Sequence, residues 1–210
     1  MKIYHIRKLS GHDTDFRPTI INSIMKAGSY KNNNPNDKID VYIASGFFEN
    51  VSSFSTNTPN LQQVVSGIDH LYLIGAYNGT NGIMQLGQQL VPQFGQINAV
   101  SAYYKSRFHA KIFVITKNDK PVFEIIGSSN MTNVAYCGRN SNGRLSPNFE
   151  CDLIICDEQI IDLPIDISPT TMQFRYIDDD NNGIPIDKRM SDIFQILQGI
   201  INDPKTKKII

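Results

Sequence analysis

A chain of 210 residues is the size of one domain, since single hydrophobic cores grow without splitting to ~250 residues. Hydrophobic residues make up 40%, aromatics 10% and charged residues 19%, enough apolar surface to offset chain entropy, which excludes wholesale disorder. Twenty basic and twenty acidic side chains cancel to a formal charge of zero, no apolar run approaches the ~18 residues of a membrane span, and Met1–Lys8 lacks the apolar stretch of a secretion signal, so a cytoplasmic protein with no membrane partner is expected.

In chain order, Asp13 or Thr14 can cap a helix through about Ala27, with Ile20, Ile21, Ile24 and Met25 at helical spacing and Gly28 at its end. Ile39 to Phe48 reads as an apolar strand closing on Ser45-Gly46, followed by a polar connection from Ser52 to Asn60. Ile68 to Ala76 is a second buried strand. It leaves through the glycine-punctuated loop Gly75 to Gly82 into a helix over Ile83 to Leu90, an order that predicts a parallel unit. Ile97 to Tyr104 is a third strand. His109 to Thr116 and Val122 to Ser128 flank Lys117-Asn118-Asp119-Lys120 as a hairpin, so the sheet is mixed. A short helix over Asn130 to Tyr136, a loop over Gly138 to Pro147 and a strand over Asn148 to Cys156 follow. A strand at Met172 to Ile177, a turn at Asp178 to Gly183 and a helix from Lys188 to Ile201 complete a C-terminal strand-turn-helix within 170–203. The expected architecture is α/β, a mixed β-sheet flanked by helices in one domain over 1–210, with no internal repeat. Cys137, Cys151 and Cys156 form no CxxC pair and point to reduced thiols rather than a zinc knuckle or a disulfide framework.

Three stretches carry chemistry. In Arg107-Phe108-His109-Ala110-Lys111, a strand would put His109 and Lys111 on one face about 7 Å apart. In Gly127-Ser128-Ser129-Asn130-Met131-Thr132, small residues let a phosphate approach the backbone, and Ser and Asn supply donors to its oxygens. The hairpin would bring Ser128 and Asn130 beside His109 and Lys111. In Asn148-Phe149-Glu150-Cys151-Asp152, Glu150 or Asp152 could take a proton from one histidine nitrogen and leave the other as nucleophile; parity does not choose between them.

Together, His109-x-Lys111, Gly127-Ser128-x-Asn130 and Glu150 resemble the half-site of the phospholipase D superfamily. The Ser129-Asn130-Met131-Thr132 and Asn148-Phe149-Glu150 stretches are most similar to its metal-independent restriction endonucleases. The motifs span 107–155. The Asp that follows the Lys in that family is replaced within Ile112-Phe113-Val114-Ile115-Thr116, and the longer intervals between motifs fall in the turns at 117–120 and 138–147, where insertions cost little. The resemblance implies a phospholipase D-like half-site fold in which His109 attacks phosphorus and a second His109 protonates the leaving oxygen. Lys111 and Asn130 hold the non-bridging oxygens, Ser128 assists, and Glu150 orients His109. It implies no cofactor and no metal. Because the chain holds one His-x-Lys, it also implies a homodimer with the active site at the interface.

The zero net charge conceals an uneven distribution. Residues 101–150 carry 7 basic and 3 acidic side chains, and 151–210 carry 6 and 11. Lys105, Arg107, Arg139 and Arg144 surround the proposed site and are expected to touch DNA phosphates. Asp178 to Gly183 begins like a calcium loop, but position 12 is Arg189 and a polar turn is expected. The leading function is a DNA endonuclease. Hydrolysis of RNA or phospholipid, or a silent nucleic-acid-binding module, are the alternatives. Little room remains after Asp157 for DNA recognition, so that task falls to a separate domain or subunit, or cleavage has little sequence preference.

Overall fold

The computed structural model describes residues 2–8, 16–48, 64–77, 83–88, 99–136, 142–145, 149–157, 159–161, 171–174 and 186–210. Among these, nine strands form one sheet: β1 (Lys2–Lys8), β2 (Ile39–Phe47), β3 (His70–Tyr77), β4 (Val100–Tyr104), β5 (Ile112–Lys117), β6 (Lys120–Gly127), β7 (Glu150–Cys156), β8 (Thr171–Phe174) and β9 (Lys207–Lys208). Their spatial order is β8-β1-β7-β6-β5-β2-β3-β4-β9. β2, β3 and β4 are parallel and every other pairing is antiparallel. The helices are α1 (Phe16–Asn33), α2 over 83–88, α3 (Asn133–Tyr136) and α4 (Ile186–Asn202). This is the mixed α/β sheet expected from the sequence.

β2 is buried along all but its last residue, because both faces of the sheet are covered. Ile39, Val41 and Ile43 share one apolar cluster with Ile20 and Ile24 of α1. The alternate residues Tyr42 and Ala44 share a second cluster with Phe194 and Leu197 of α4. A strand buried on both sides reads as a continuous apolar run, and each fully buried aliphatic side chain contributes about 2 kcal/mol. The β5–β6 hairpin turns at Asn118 and Asp119, both left-handed at φ 51° and 62°, the geometry of a two-residue type I′ turn. Asn118 fixes that turn by accepting from Lys38 N at 2.8 Å and donating to Asp37 at 2.7 Å.

Several boundaries differ from the sequence expectation. α1 runs past Gly28 to Asn33, because Gly28 is a packing position: a Cβ there would stand 3.2 Å from Gly67 Cα in the turn before β3. β1 and β9 are additional strands whose partners lie far along the chain. The expected caps Asp13 and Thr14, the connection Ser52 to Asn60 and the turn Asp178 to Gly183 fall outside the described residues. The correction that matters most for function is β5, which begins at Ile112. His109 and Lys111 therefore precede the strand, and strand alternation does not align them.

Candidate active site

Residues 105–111 form an irregular approach to β5. Lys105 N donates to Gly75 O at 3.0 Å, and Phe108 N donates back to Lys105 O at 3.3 Å. Arg107 adopts a left-handed conformation, φ 63°, which non-glycine residues take at a cost. The turn sends Phe108 into the apolar cluster of α4 and leaves His109 exposed. Lys111 then folds back, its Nζ 2.7 Å from His109 Nδ1 and donating to His109 O at 2.7 Å. The two residues do meet, through a side-chain contact and not through strand periodicity.

Behind Lys111 lies a small, mainly apolar cavity lined by Phe16, Ile20, Phe113 and Met131 among others. Burial holds the Lys111 ammonium below the ordinary lysine pKa, and the nearby Glu150 carboxylate opposes that shift.

Asn130 stays outside α3 because Thr132 caps the helix, its Oγ1 accepting from Ala135 N at 3.3 Å. Phe47 N donates to Asn130 Oδ1 at 3.3 Å, and Ser45 Oγ stands 3.3 Å from the same oxygen. Ser45 Oγ in turn donates to Phe47 O at 2.6 Å and accepts from Met131 N at 3.0 Å. With its carbonyl end fixed, Asn130 can offer its Nδ2 hydrogens to an outside acceptor. A Cβ built on Gly46 would lie 3.6 Å from both Asn130 Oδ1 and His109 Cδ2. The bare backbone at Gly46 thus separates, and nearly touches, these two side chains, while the Phe47 ring meets the His109 ring edge to face, 6.5 Å between centroids.

Where β6 ends beside the start of β7, Ser128 Oγ donates to Glu150 Oε2 at 2.5 Å and accepts from Cys151 N at 3.0 Å. Glu150 opens β7, paired across the ladder with Lys8 of β1. One step further in, Asp152 is buried and takes both Ser129 Oγ at 2.5 Å and Ser129 N at 3.2 Å. Gly127 makes room for it, since a Cβ there would fall 2.0 Å from Asp152 Oδ1. The two acidic residues left equivalent by sequence parity thus occupy different environments: Asp152 ties down the Ser129 backbone, and Glu150 faces Ser128 and Lys111.

His109, Lys111, Ser128, Asn130 and Glu150 converge from the β5 approach, the end of β6 and the start of β7. Of the four basic residues expected to touch DNA, Arg107 and Arg144 are exposed, Lys105 is ion-paired with Asp203, and Arg139 lies outside the described residues. The sequence reading placed Gly127 in the Gly-Ser-x-Asn motif but did not assign Ser45 or Gly46 to the site. The signal available for these two was the Ser45-Gly46 pair ending a buried strand.

Residues 41–166, more than half of the chain, match the family described as the NgoFVII restriction endonuclease N-terminal PLD domain. The chain belongs to that family. It is therefore a member of the phospholipase D superfamily, a family of phosphodiesterases and nucleases. The three convergent motifs lie inside the matched segment. No curated protein matches the chain. Among solved structures, NucT from Helicobacter pylori is 15% identical at a TM-score of 0.38, covering 75% of this chain and 89% of its own. Phosphatidylserine synthase from Haemophilus influenzae Rd KW20 is 10% identical at 0.48, over 99% of this chain and 39% of its own. A histidine-to-asparagine mutant of the yeast tyrosyl-DNA phosphodiesterase is 10% identical at 0.43, over 76% and 48%. The chain thus spans less than half the length of the last two. No helix among the described residues is long and apolar enough to cross a membrane.

Proposed function

We propose that this PLD-domain chain is a metal-independent endonuclease that hydrolyses DNA phosphodiester bonds through a covalent phosphohistidine, at a site shared by two copies of the chain. The observation that carries the reading is the Lys111 ammonium resting 2.7 Å from the ring of an exposed His109, with Asn130 held across Gly46 from that ring and the Ser128–Glu150 pair beside Lys111. A nucleophile, a cation and a neutral donor side by side are what a phosphodiester needs when no divalent ion neutralises its oxygens.

In the first step a ring nitrogen of His109 attacks phosphorus; the N–P bond forms as the P–O bond to the leaving alcohol breaks. His109 of the partner subunit gives the departing oxygen its proton. In the second step that imidazole, now neutral, takes a proton from water, whose oxygen attacks phosphorus and breaks the N–P bond. Lys111 and Asn130 hold the non-bridging oxygens throughout, Ser128 assists them, and Glu150 favours the charged form of Lys111. Arg107, Arg139 and Arg144 would position the DNA backbone without reading its sequence. Sequence recognition would reside in a separate domain or subunit. The reduced cysteines expected from the sequence fit a cytoplasmic setting.

The test is incubation of the purified protein with plasmid DNA in excess EDTA. Nicked or linear product is expected from the wild type and none from His109→Ala, which should still bind DNA. Cleavage by His109→Ala would show that the nucleophile is wrongly assigned; cleavage confined to RNA would redirect the substrate.

A further inference from the structure

Lys105 lies four residues before His109, and its placement differs from that of a phosphate-binding lysine. Its ammonium is paired with Asp203, and the two side chains are 21% and 35% exposed. Its backbone N is bonded to Gly75 O at the end of β3, and its carbonyl closes the turn from Phe108 N. Asp203 is a fixed anchor. It follows α4 directly, its Oδ1 accepts from Lys205 N at 2.7 Å, and its carbonyl accepts from Thr206 N at 2.8 Å. Thr206 Oγ1 reaches back to Ile200 O at 2.6 Å, tying the turn to the last helical residues. Beyond the turn, β9 adds to the edge of β4 with Lys207 opposite Tyr104, the residue before Lys105. The approach loop is thus held to α4 and the turn after it at two points: by Phe108 packed into the apolar cluster of Phe194 and Leu197 on α4, and by the Lys105–Asp203 pair at the end of the β4–β9 ladder.

We propose that Lys105 and Asp203 are positioning residues, which fix the loop carrying His109 and Lys111 to the turn after α4, and that Lys105 is not a DNA-phosphate contact. The proposal rests on the nuclease reading of His109 and Lys111. Partly exposed ion pairs contribute little to global stability. A displacement of ~1 Å at a reacting atom, by contrast, can cost ~100-fold in rate. The pair's effect therefore belongs in turnover and not in melting temperature.

The two readings of Lys105 give opposite signs for its partner. A phosphate contact gains when the neighbouring carboxylate is neutralised, whereas a positioning pair is broken by removal of either member. The experiment compares Lys105→Met, Asp203→Asn and the double variant Lys105→Met/Asp203→Asn, in which Asn keeps the oxygen that accepts from Lys205 N, on plasmid DNA in EDTA and by the His109 imidazole resonances in NMR spectra. Each single variant is expected to lose at least ~10-fold in kcat, with KM, the salt dependence of DNA binding and the melting temperature close to wild type. The His109 resonances should shift in both singles, and the double variant should lose no more rate than either single, since each alone already breaks the pair.

Three results would overturn the proposal: Asp203→Asn with unchanged turnover and tighter DNA binding, Lys105→Met with raised KM and a shallower salt slope, or a fall in melting temperature that matches the lost activity. Should the wild type cut no DNA, the nuclease reading fails by itself. The His109 resonances still decide whether the pair positions the loop: shifted in both singles they support it, unmoved they overturn it.

Discussion

Glu124 stands in the middle of β6 with no exposed surface, and among the described residues neither of its carboxyl oxygens has a hydrogen-bond partner. Its ladder neighbours are Val114 of β5 and Ile155 of β7, the latter packed with Met190 of α4. Burial pushes its pKa from 4.5 up to about 8, so the carboxyl is held neutral in the folded protein where the unfolded chain would ionise it. Stability that is complete below pH 4.5 is therefore lost as the pH rises towards 8, by up to roughly 4 kcal/mol. Glu124→Leu, of similar volume and without the carboxyl, should raise stability at pH 8 and flatten that decline. Urea unfolding at pH 4.5 and pH 8 checks it; parallel curves for the two proteins would mean that the carboxyl finds a partner or water. Single residues were also where the sequence was least informative about the site. Glu150 and Asp152 cannot be separated by a period of two, because what distinguishes them is depth: a Ser129 backbone and the missing Cβ of Gly127 receive Asp152, while Glu150 stays half-buried against Ser128.

At the scale of elements, the motifs that bear chemistry were legible because each sits at a strand end or in a turn, where residue type is dictated by local geometry. The placement of His109 and Lys111 was not, since β5 begins three residues after His109 and the loop before it is shaped by contacts from α4, far along the chain. β1 escaped notice for a related reason: seven residues without a turn partner acquire strand character only by pairing with β7 and β8. Arg107 is the visible cost of the loop. At φ 63° a side chain with a Cβ is strained by about 1–2 kcal/mol, and glycine, which relieves this, gives back part of the gain as unfolded-chain entropy. Arg107→Gly should accordingly fall within about 1 kcal/mol of wild type. Arg107→Val, β-branched in a left-handed conformation, should be less stable than Arg107→Gly by at least about 1 kcal/mol. Equal denaturant midpoints for the two would show that the loop relaxes out of the left-handed region.

The chain as a whole carries one His109, one Lys111, one Asn130 and one Glu150 in its candidate site. If two copies complete it around a twofold axis, each subunit interface holds one reaction centre, and both imidazoles are needed, one to attack and one to protonate. This makes activity depend on subunit composition in a way that a self-sufficient monomer cannot imitate. When wild type and His109→Ala are mixed, unfolded and refolded together, a fraction of dimers equal to the square of the wild-type share retains both histidines. At equal mixing, activity per total chain should drop to about one quarter, and the curve against composition should be parabolic. A monomer with a complete site would give a straight line through one half. Sedimentation of the same mixtures supplies the control, since the variant shortens one exposed side chain and should assemble like the wild type. A linear dependence with intact dimers would mean that the second imidazole is dispensable, and that the proton on the leaving oxygen comes from another group, for which Lys111, with its pKa lowered by burial, would be the first candidate.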